Sequence, residues 1–364
     1  MSRPTIAEIN LQALKNNVKK LKNISTSKLY PVVKANAYGH GLKQVIKTIN
    51  NLVSGFCVAT FEEAIELKKL TTKSVLCMEG PYDLKELNIF EKNHIDYVIH
   101  SSYQIALLKK FNKSFLSKKN KIWIKFDTGM NRLGFKESEI INAFSNILEF
   151  KKNLVLMSHF SSAASTKSSK KESKNQIKIF KKYETKIKRN KPNILLSLCN
   201  SGGLLFYQES HKDIARPGIS IYGSQEGLKR NYLDLEQVMT LKSKFITIKN
   251  VSKGSRVGYD GTWKANTDSK IGILPIGYAD GYSTGMSNQA YVLVDNQKAP
   301  VVGRVSMDLT AIDLTLLKKV DYDSNVVLWG PELKIDKVAK FCGTIPYELM
   351  TSVSERVRRK FIEK

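Results

Sequence analysis

The feature that most constrains this chain is an alternation. Between residues 29 and 223, short continuous apolar runs recur, separated by segments whose apolar residues lie three and four apart. The runs are LYPVVK (29–34), GFCVAT (55–60), SVLCMEG (74–80), IDYVIH (95–100), KIWIKFD (121–127), LVLMSHF (154–160), ILLSLCN (194–200) and DIARPGISIYG (213–223). Helical stretches such as FEEAIELKKL (61–70) and NQIKIFKKYETKIK (175–188) lie between them. A strand that is apolar throughout must be covered on both faces, the condition of a parallel sheet flanked by helices. Eight such strands predict a closed (β/α)8 barrel of the TIM type, with an open doubly wound sheet as the alternative. The low-complexity stretch SSAASTKSSKKESK (161–174) predicts a solvated loop leading into a helix after the sixth strand.

After about residue 235 the pattern changes. LKSKFITIKNVSKGSRVGY, KIGILPIGYADGY, AYVLVDNQKAPVVGRVSMD and DSNVVLWG alternate apolar and polar residues between Gly, Asn and Asp turns. This predicts a mainly antiparallel β-domain, so the chain divides into a barrel over 1–234 and a β-domain over 235–364. No apolar run reaches the roughly 18 residues of a membrane span, and the first residues lack a secretory apolar stretch. Cys57, Cys77, Cys199 and Cys342 form no CxxC pair, and three of them lie in strand-like runs as small buried hydrophobes. These features predict a cytoplasmic protein.

The net charge of +26 raises the question of an anionic partner. It comes from 49 lysines and only 10 arginines. Base readout and phosphate clamping favour the planar Arg fork, so the excess predicts lysine-rich solvated faces and no nucleic-acid partner.

In a barrel, polar residues that end the strands gather at one mouth. Here the first run ends in Lys34, and the fifth carries Lys125 and Asp127 and leads to Arg132. The sixth ends in His159, the seventh in Asn200-Ser201-Gly202-Gly203, and the eighth contains Arg216-Pro217-Gly218. The glycine-bearing turns after the seventh and eighth strands suit phosphate binding through backbone N–H groups. A lysine ending an apolar strand is partly stripped of water, which disfavours the ammonium and leaves an amine able to condense with an aldehyde. Pyridoxal phosphate supplies both the aldehyde and the phosphate.

VVKANAYGHG around Lys34, KFDTGMNRLG (125–134), SHF (158–160), RPGISIYG (216–223), RVGYDGTW (256–263), IGYADGY (276–282) and GRVSMD (303–308) together resemble the bacterial alanine racemases, in the order of that family and over nearly the whole chain. The resemblance implies a barrel plus β-domain that binds pyridoxal 5'-phosphate as a Schiff base on Lys34 and interconverts L- and D-alanine, with D-alanine going to peptidoglycan. It implies two catalytic bases, Lys34 and Tyr259, the latter from the partner in a homodimer whose active sites are shared across the interface. It further implies Tyr38, Ser201, Gly218 and Ile219 at the phosphate, and Arg216 at the ring nitrogen. His159 would link Arg216 to the tyrosine by hydrogen bonds. Arg132 and the N–H of Met307 would take the substrate carboxylate, with Asp308 in support and Lys125, often carbamylated in the family, beside Arg132. No metal is implied.

Three stretches depart from the family. Ala164 stands where an entrance aspartate is usual, and Ser283-Thr284 where an arginine follows GYADGY. Their joint loss predicts a less polar or wider entrance. Arg358 replaces a proline, and Glu355 stands where some members have a phosphate-binding tyrosine. The altered entrance keeps open a racemase of broader substrate range, such as serine or lysine. A non-catalytic pyridoxal-phosphate-binding protein is the other alternative, against which the β-domain bearing Tyr259 and Met307 speaks.

Overall fold

The computed structural model describes residues 3–163, 167–224 and 233–363. All eight predicted barrel strands form: Lys28–Leu29, Gly55–Val58, Ser74–Cys77, Asp96–Ile99, Ile122–Lys125, Leu154–Met157, Leu195–Ser197 and Ile214–Ala215. The middle six pair in parallel and in sequence order, and the first pairs in parallel with the eighth. A parallel bridge between Val32 and Cys57 joins the first strand to the second. At the other seam Arg216 donates its N–H to the Cys199 carbonyl at 3.0 Å, and Ser197 Oγ donates to the Ile214 carbonyl at 2.7 Å. The sheet is therefore closed, which decides against the open doubly wound alternative. Phe56, Cys57, Leu76, Cys77, Ile124 and Leu156 are fully buried, as strands covered on both faces require.

The C-terminal residues build a nine-stranded sheet, antiparallel except at one edge. At that edge an N-terminal strand crosses the expected division at 234/235. Ile6–Asn10 pairs with Met239–Ser243 and Arg358–Ile362, inside the C-terminal sheet. Its sequence IAEIN alternates, and so does its burial, as in a strand with one wet face. The side chain of Asn10 then caps the helix Leu11–Asn23 by accepting the Ala13 N–H at 3.0 Å.

The helix expected after the loop over 161–174 starts earlier than predicted. A helix runs from Lys167 to Asn190 and begins inside the low-complexity stretch. The face it buries there is polar: Ser169, Ser173 and Gln176 are almost inaccessible. Gln176 donates to Thr128 Oγ1 at 3.2 Å and to the His159 carbonyl at 3.1 Å, while its oxygen accepts the Ser161 N–H at 3.1 Å. Hydrogen bonds replace apolar contacts along this face, so apolar periodicity does not report it.

At the opposite end of the barrel, Lys151 Nζ meets Glu91 at 2.8 and 3.0 Å and Asn120 Oδ1 at 2.6 Å, and the Tyr97 hydroxyl donates to Glu91 at 2.6 Å. Both ionic side chains are nearly inaccessible. Removing one partner strands a buried charge, so Lys151→Met should lower unfolding stability by about 3–5 kcal/mol in urea titrations. A loss below about 1 kcal/mol would show that water reaches the site.

Candidate active site

The barrel mouth opens into a cleft of about 570 Å³. Lys34, Tyr38, Lys125, Arg132, His159, Ser201, Arg216 and Gly218 all line it. Ile219 is buried directly behind Gly218.

Lys34 opens a turn with unusual backbone. Ala35, Asn36, Ala37 and Tyr38 have φ values of 51, 53, 55 and 52°, and Gly39 follows at 75°. Each non-glycine residue in left-handed helix costs about 1–2 kcal/mol, roughly 4–8 kcal/mol for the four. The surroundings must offset this. Asn36 Oδ1 accepts the Leu42 N–H at 2.7 Å, and Arg359 Nε donates to the Gly39 carbonyl at 3.1 Å. His40 is wholly buried, stacked on Tyr222, with its Nδ1–H donating to the Tyr38 carbonyl at 2.8 Å. The turn delivers both Lys34 and Tyr38 to the cleft within five residues.

On the fifth strand, Asp127 Oδ1 accepts the N–H groups of Gly129, Met130 and Asn131, at 2.9, 2.9 and 3.1 Å. This folds the loop that presents Arg132. Arg216 is buried and donates to Ser197 Oγ and, at 2.5 Å, to the Ser158 carbonyl. It makes no hydrogen bond to His159 among the described residues, so the expected chain through His159 to Arg216 is not present here as hydrogen bonds. His159 Nε2 instead faces Asn200 Nδ2 at 3.4 Å. The Ser201 hydroxyl sits in the last turn, accepting the N–H groups of Gly218 and Ser220 at 2.9 and 3.3 Å. A Cβ on Gly218 would come within 2.8 Å of the Tyr38 hydroxyl, so only glycine lets the backbone line the cleft beside Tyr38.

Four cationic side chains, Lys34, Lys125, Arg132 and Arg216, line the cleft against one acid, Glu79. Two groups give way. Burial, then Arg216 and Arg132, push the Lys125 ammonium well below its ordinary range. Burial, then Lys125, Arg216, Arg132 and Lys34, hold the His159 imidazole neutral, far below its usual value. Arg216 is lowered by burial but stays a cation. The donor set suits a small ligand with a phosphate and a carboxylate. The N–H of Ile219, at the first position of its helical turn, has no partner within that turn. Pyridoxal phosphate with an amino acid meets these terms.

Tyr259, Met307 and Asp308 lie elsewhere, in a second concavity of about 820 Å³ on the β-domain. Tyr259 sits at the tip of the hairpin Arg256–Val257/Trp263–Lys264, after Gly258 at φ 75°, and is 71% exposed. Met307 is 52% exposed. Asp308 pairs with Arg356 at 2.6 Å, and its carbonyl accepts from Arg3 at 3.2 Å. Arg3 also grips Asp280 through both oxygens, at 2.7 and 2.9 Å. Thr284 lines this concavity, and Arg304 pairs there with Asp260 at 3.1 Å. Ala164 lies outside the described residues.

Among the cleft residues that escaped the sequence reading, Tyr347 comes from farthest along the chain. It reaches the barrel mouth from the helix Pro346–Ser352, with its ring 5.8 Å from that of Tyr38. Glu355 does not line the cleft. The only signal for Tyr347 is the Pro346 that starts its helix, which says nothing of chemistry.

The family description "Alanine racemase, N-terminal domain" matches residues 9–226, and "Alanine racemase, C-terminal domain" matches 238–361. The chain belongs to the alanine racemase family. It is 37% identical to an alanine racemase of Mannheimia succiniciproducens over 366 residues, 99% of this chain and all of that one. It superposes on the biosynthetic alanine racemase of Pseudomonas aeruginosa with a TM-score of 0.92 at 33% identity, covering 99% of this chain and 100% of that one. An alanine racemase from Bartonella henselae, solved with covalently bound pyridoxal phosphate, gives 0.87 at 29% identity over 99% of each chain. The activity is thus interconversion of L- and D-alanine, an isomerase reaction of the pyridoxal-phosphate-dependent class. Among the described residues no helix is long and apolar enough to cross a membrane.

His40 gives a pH dependence. Burial pushes it from an ordinary 6.5 to about 4, so between those values the unfolded chain binds a proton that the folded chain refuses. Stability should rise with pH across that window, and falling from pH 6.5 to 4 should cost about 3 kcal/mol through this group. Urea midpoints of wild type and His40→Asn check this. An equal pH slope in both would remove His40 as a cause.

Proposed function

We propose that this alanine racemase works by two bases, Lys34 of one subunit and Tyr259 of its partner, acting on opposite faces of the substrate Cα. The observation that carries the reading is the split of the site. The barrel cleft holds Lys34 and the anion-binding groups, while Tyr259 and Met307 stand exposed in a separate concavity of the same chain. Neither half has both bases, and a homodimer would complete each half with the other.

In this reading Tyr38, Ser201, Tyr347 and the N–H groups of Gly218 and Ile219 hold the phosphate, with Lys34 joined to the cofactor. Bound there, pyridoxal phosphate supplies an aldehyde for the amino group and a ring that withdraws electrons from Cα. Arg216 would meet the ring nitrogen; a guanidinium has no lone pair to accept a proton and leaves that nitrogen unprotonated. Restrained withdrawal limits side reactions such as transamination. Arg132 and the partner's Met307 N–H would hold the carboxylate, with Asp308 steadying the Met307 loop through Arg356. The Lys34 amine and the Tyr259 phenol take a proton on one face and return one on the other. His159, kept neutral, stands beside the tyrosine as an uncharged partner. We assign the enzyme to the cytoplasm, supplying D-alanine for peptidoglycan, in keeping with its free cysteines.

Burial, then Arg216 and Arg132, push Lys125 toward its free amine, and an amine adds to carbon dioxide with loss of a proton to give a carbamate. The carbamate oxygens would then accept from Arg132. Labelled bicarbonate should give a carbamate carbon resonance in wild type and none in Lys125→Ala; a wild type without it would leave Lys125 an unmodified amine.

Mixing two inactive variants tests the sharing of sites. Lys34→Ala and Tyr259→Phe should each lose racemase activity. Refolded together in equal amounts they should regain about a quarter of wild-type activity, since half the dimers are mixed and each of those has one intact site. No recovery would mean that both bases come from one chain.

A further inference from the structure

We infer that Glu63 is a positioning residue for Lys34, its carboxylate tying the backbone that follows the lysine to the end of the neighbouring helix; the inference rests on the role given to Lys34 above. Glu63 is the third residue of the helix Phe61–Leu70. One oxygen, Oε2, accepts the N–H groups of Ala59 and Thr60 at 2.9 and 3.3 Å, and the Thr60 hydroxyl accepts the Glu63 N–H at 3.3 Å. That alone completes a capping box. The other oxygen, Oε1, reaches 28 residues back along the chain and accepts the Ala35 N–H at 2.6 Å.

Ala35 is the first of the left-handed residues and the one that directly follows Lys34. Its anchor is the near end of a clamp whose far end is Asn36 with Leu42 and Arg359 with Gly39. Release of the near end would let Ala35 return to its preferred right-handed or extended backbone and swing the Lys34 side chain. An amine that must meet one face of Cα tolerates little such movement. The chemistry of the clamp also restricts the residue. A carboxylate presents two acceptors, as the three N–H groups require; an amide presents one acceptor and an NH2 that would face a donor. Aspartate keeps both oxygens but is one methylene short.

The test compares Glu63→Gln, Glu63→Asp, Thr60→Ala and Lys34→Ala as holoenzymes. Thr60→Ala removes the capping hydroxyl and leaves the clamp, so its melting temperature should fall while kcat stays within about twofold of wild type. Both Glu63 variants should lose about tenfold or more in kcat with KM for alanine changed less than about threefold. Amide hydrogen exchange across residues 35–41 should speed up in them and not in Thr60→Ala. Glu63→Asp keeps a carboxylate at the cap and is the deciding variant should Glu63→Gln fail to fold. Wild-type kcat and unchanged exchange in Glu63→Asp would overturn the inference, as would a kcat loss in Thr60→Ala equal to that of the Glu63 variants. An active Lys34→Ala would instead overturn the role of Lys34, whereas an inactive one beside fully active Glu63 variants would sink only the clamp.

Discussion

Closure of the barrel rests on its shortest strands. Lys28–Leu29 and Ile214–Ala215 contribute two residues each, and the link onward to Gly55–Val58 is a single bridge between Val32 and Cys57. The first of these contacts joins Lys28 to Ile214, far apart in sequence, so its loop-closure entropy must be met by burial around it. Leu29, Tyr30, Val32 and Val33 are buried, and the Tyr222 hydroxyl donates to the Val32 carbonyl at 3.2 Å. Everything chemical depends on that seam. Lys34 and Tyr38 stand on one side of it, and Arg216 and Gly218 on the other. An open sheet of the same strands would leave the lysine and the anion-binding turns at opposite edges.

Closure also concentrates positive charge. Four cations around one cleft repel one another where water is scarce, and such a site relieves the repulsion by losing protons or by taking up anions. The first response is visible in the residues. Lys125 and His159, the groups that can shed a proton, are pushed toward their neutral forms, while the two arginines cannot shed one. What remains is a demand for anions, which a phosphate and a substrate carboxylate satisfy. The surface excess of lysine adds to the same field at longer range and steers anions inward in a salt-dependent way.

Legibility in the sequence followed what each element buries. Barrel strands covered on both faces are apolar throughout, and all eight were readable with the closed architecture. The strand Ile6–Asn10 was readable as alternating, but its partners come from the other end of the chain, and no local pattern says so. The start of the helix Lys167–Asn190 was hidden because Ser169, Ser173 and Gln176 bury polar groups. At the cleft, residues that end strands could be gathered by topology alone. Tyr347 could not, since it arrives from a helix near the C-terminus. Arg304 shows a further limit: the motif GRVSMD names the residue, whereas only the fold shows that it pairs with Asp260.

The division of labour between the two domains follows from what each can hold still. A lysine at a strand end is placed by a ladder of backbone hydrogen bonds, and its turn is then pinned by Glu63, Asn36, His40 and Arg359. Such a site is rigid but one-sided, because every barrel strand enters the mouth from below. A base for the opposite face has to come from outside the barrel, on an element stiff enough to hold a phenol in place. The hairpin with Gly258 at its turn is one, and Arg3, Asp280, Asp308 and Arg356 brace the loop that carries Met307 beside it. Two-faced proton transfer thus asks for two rigid bodies meeting over one substrate. In the proposed two-base reading, pairing of the chain with its own copy would bring the missing half to each cleft.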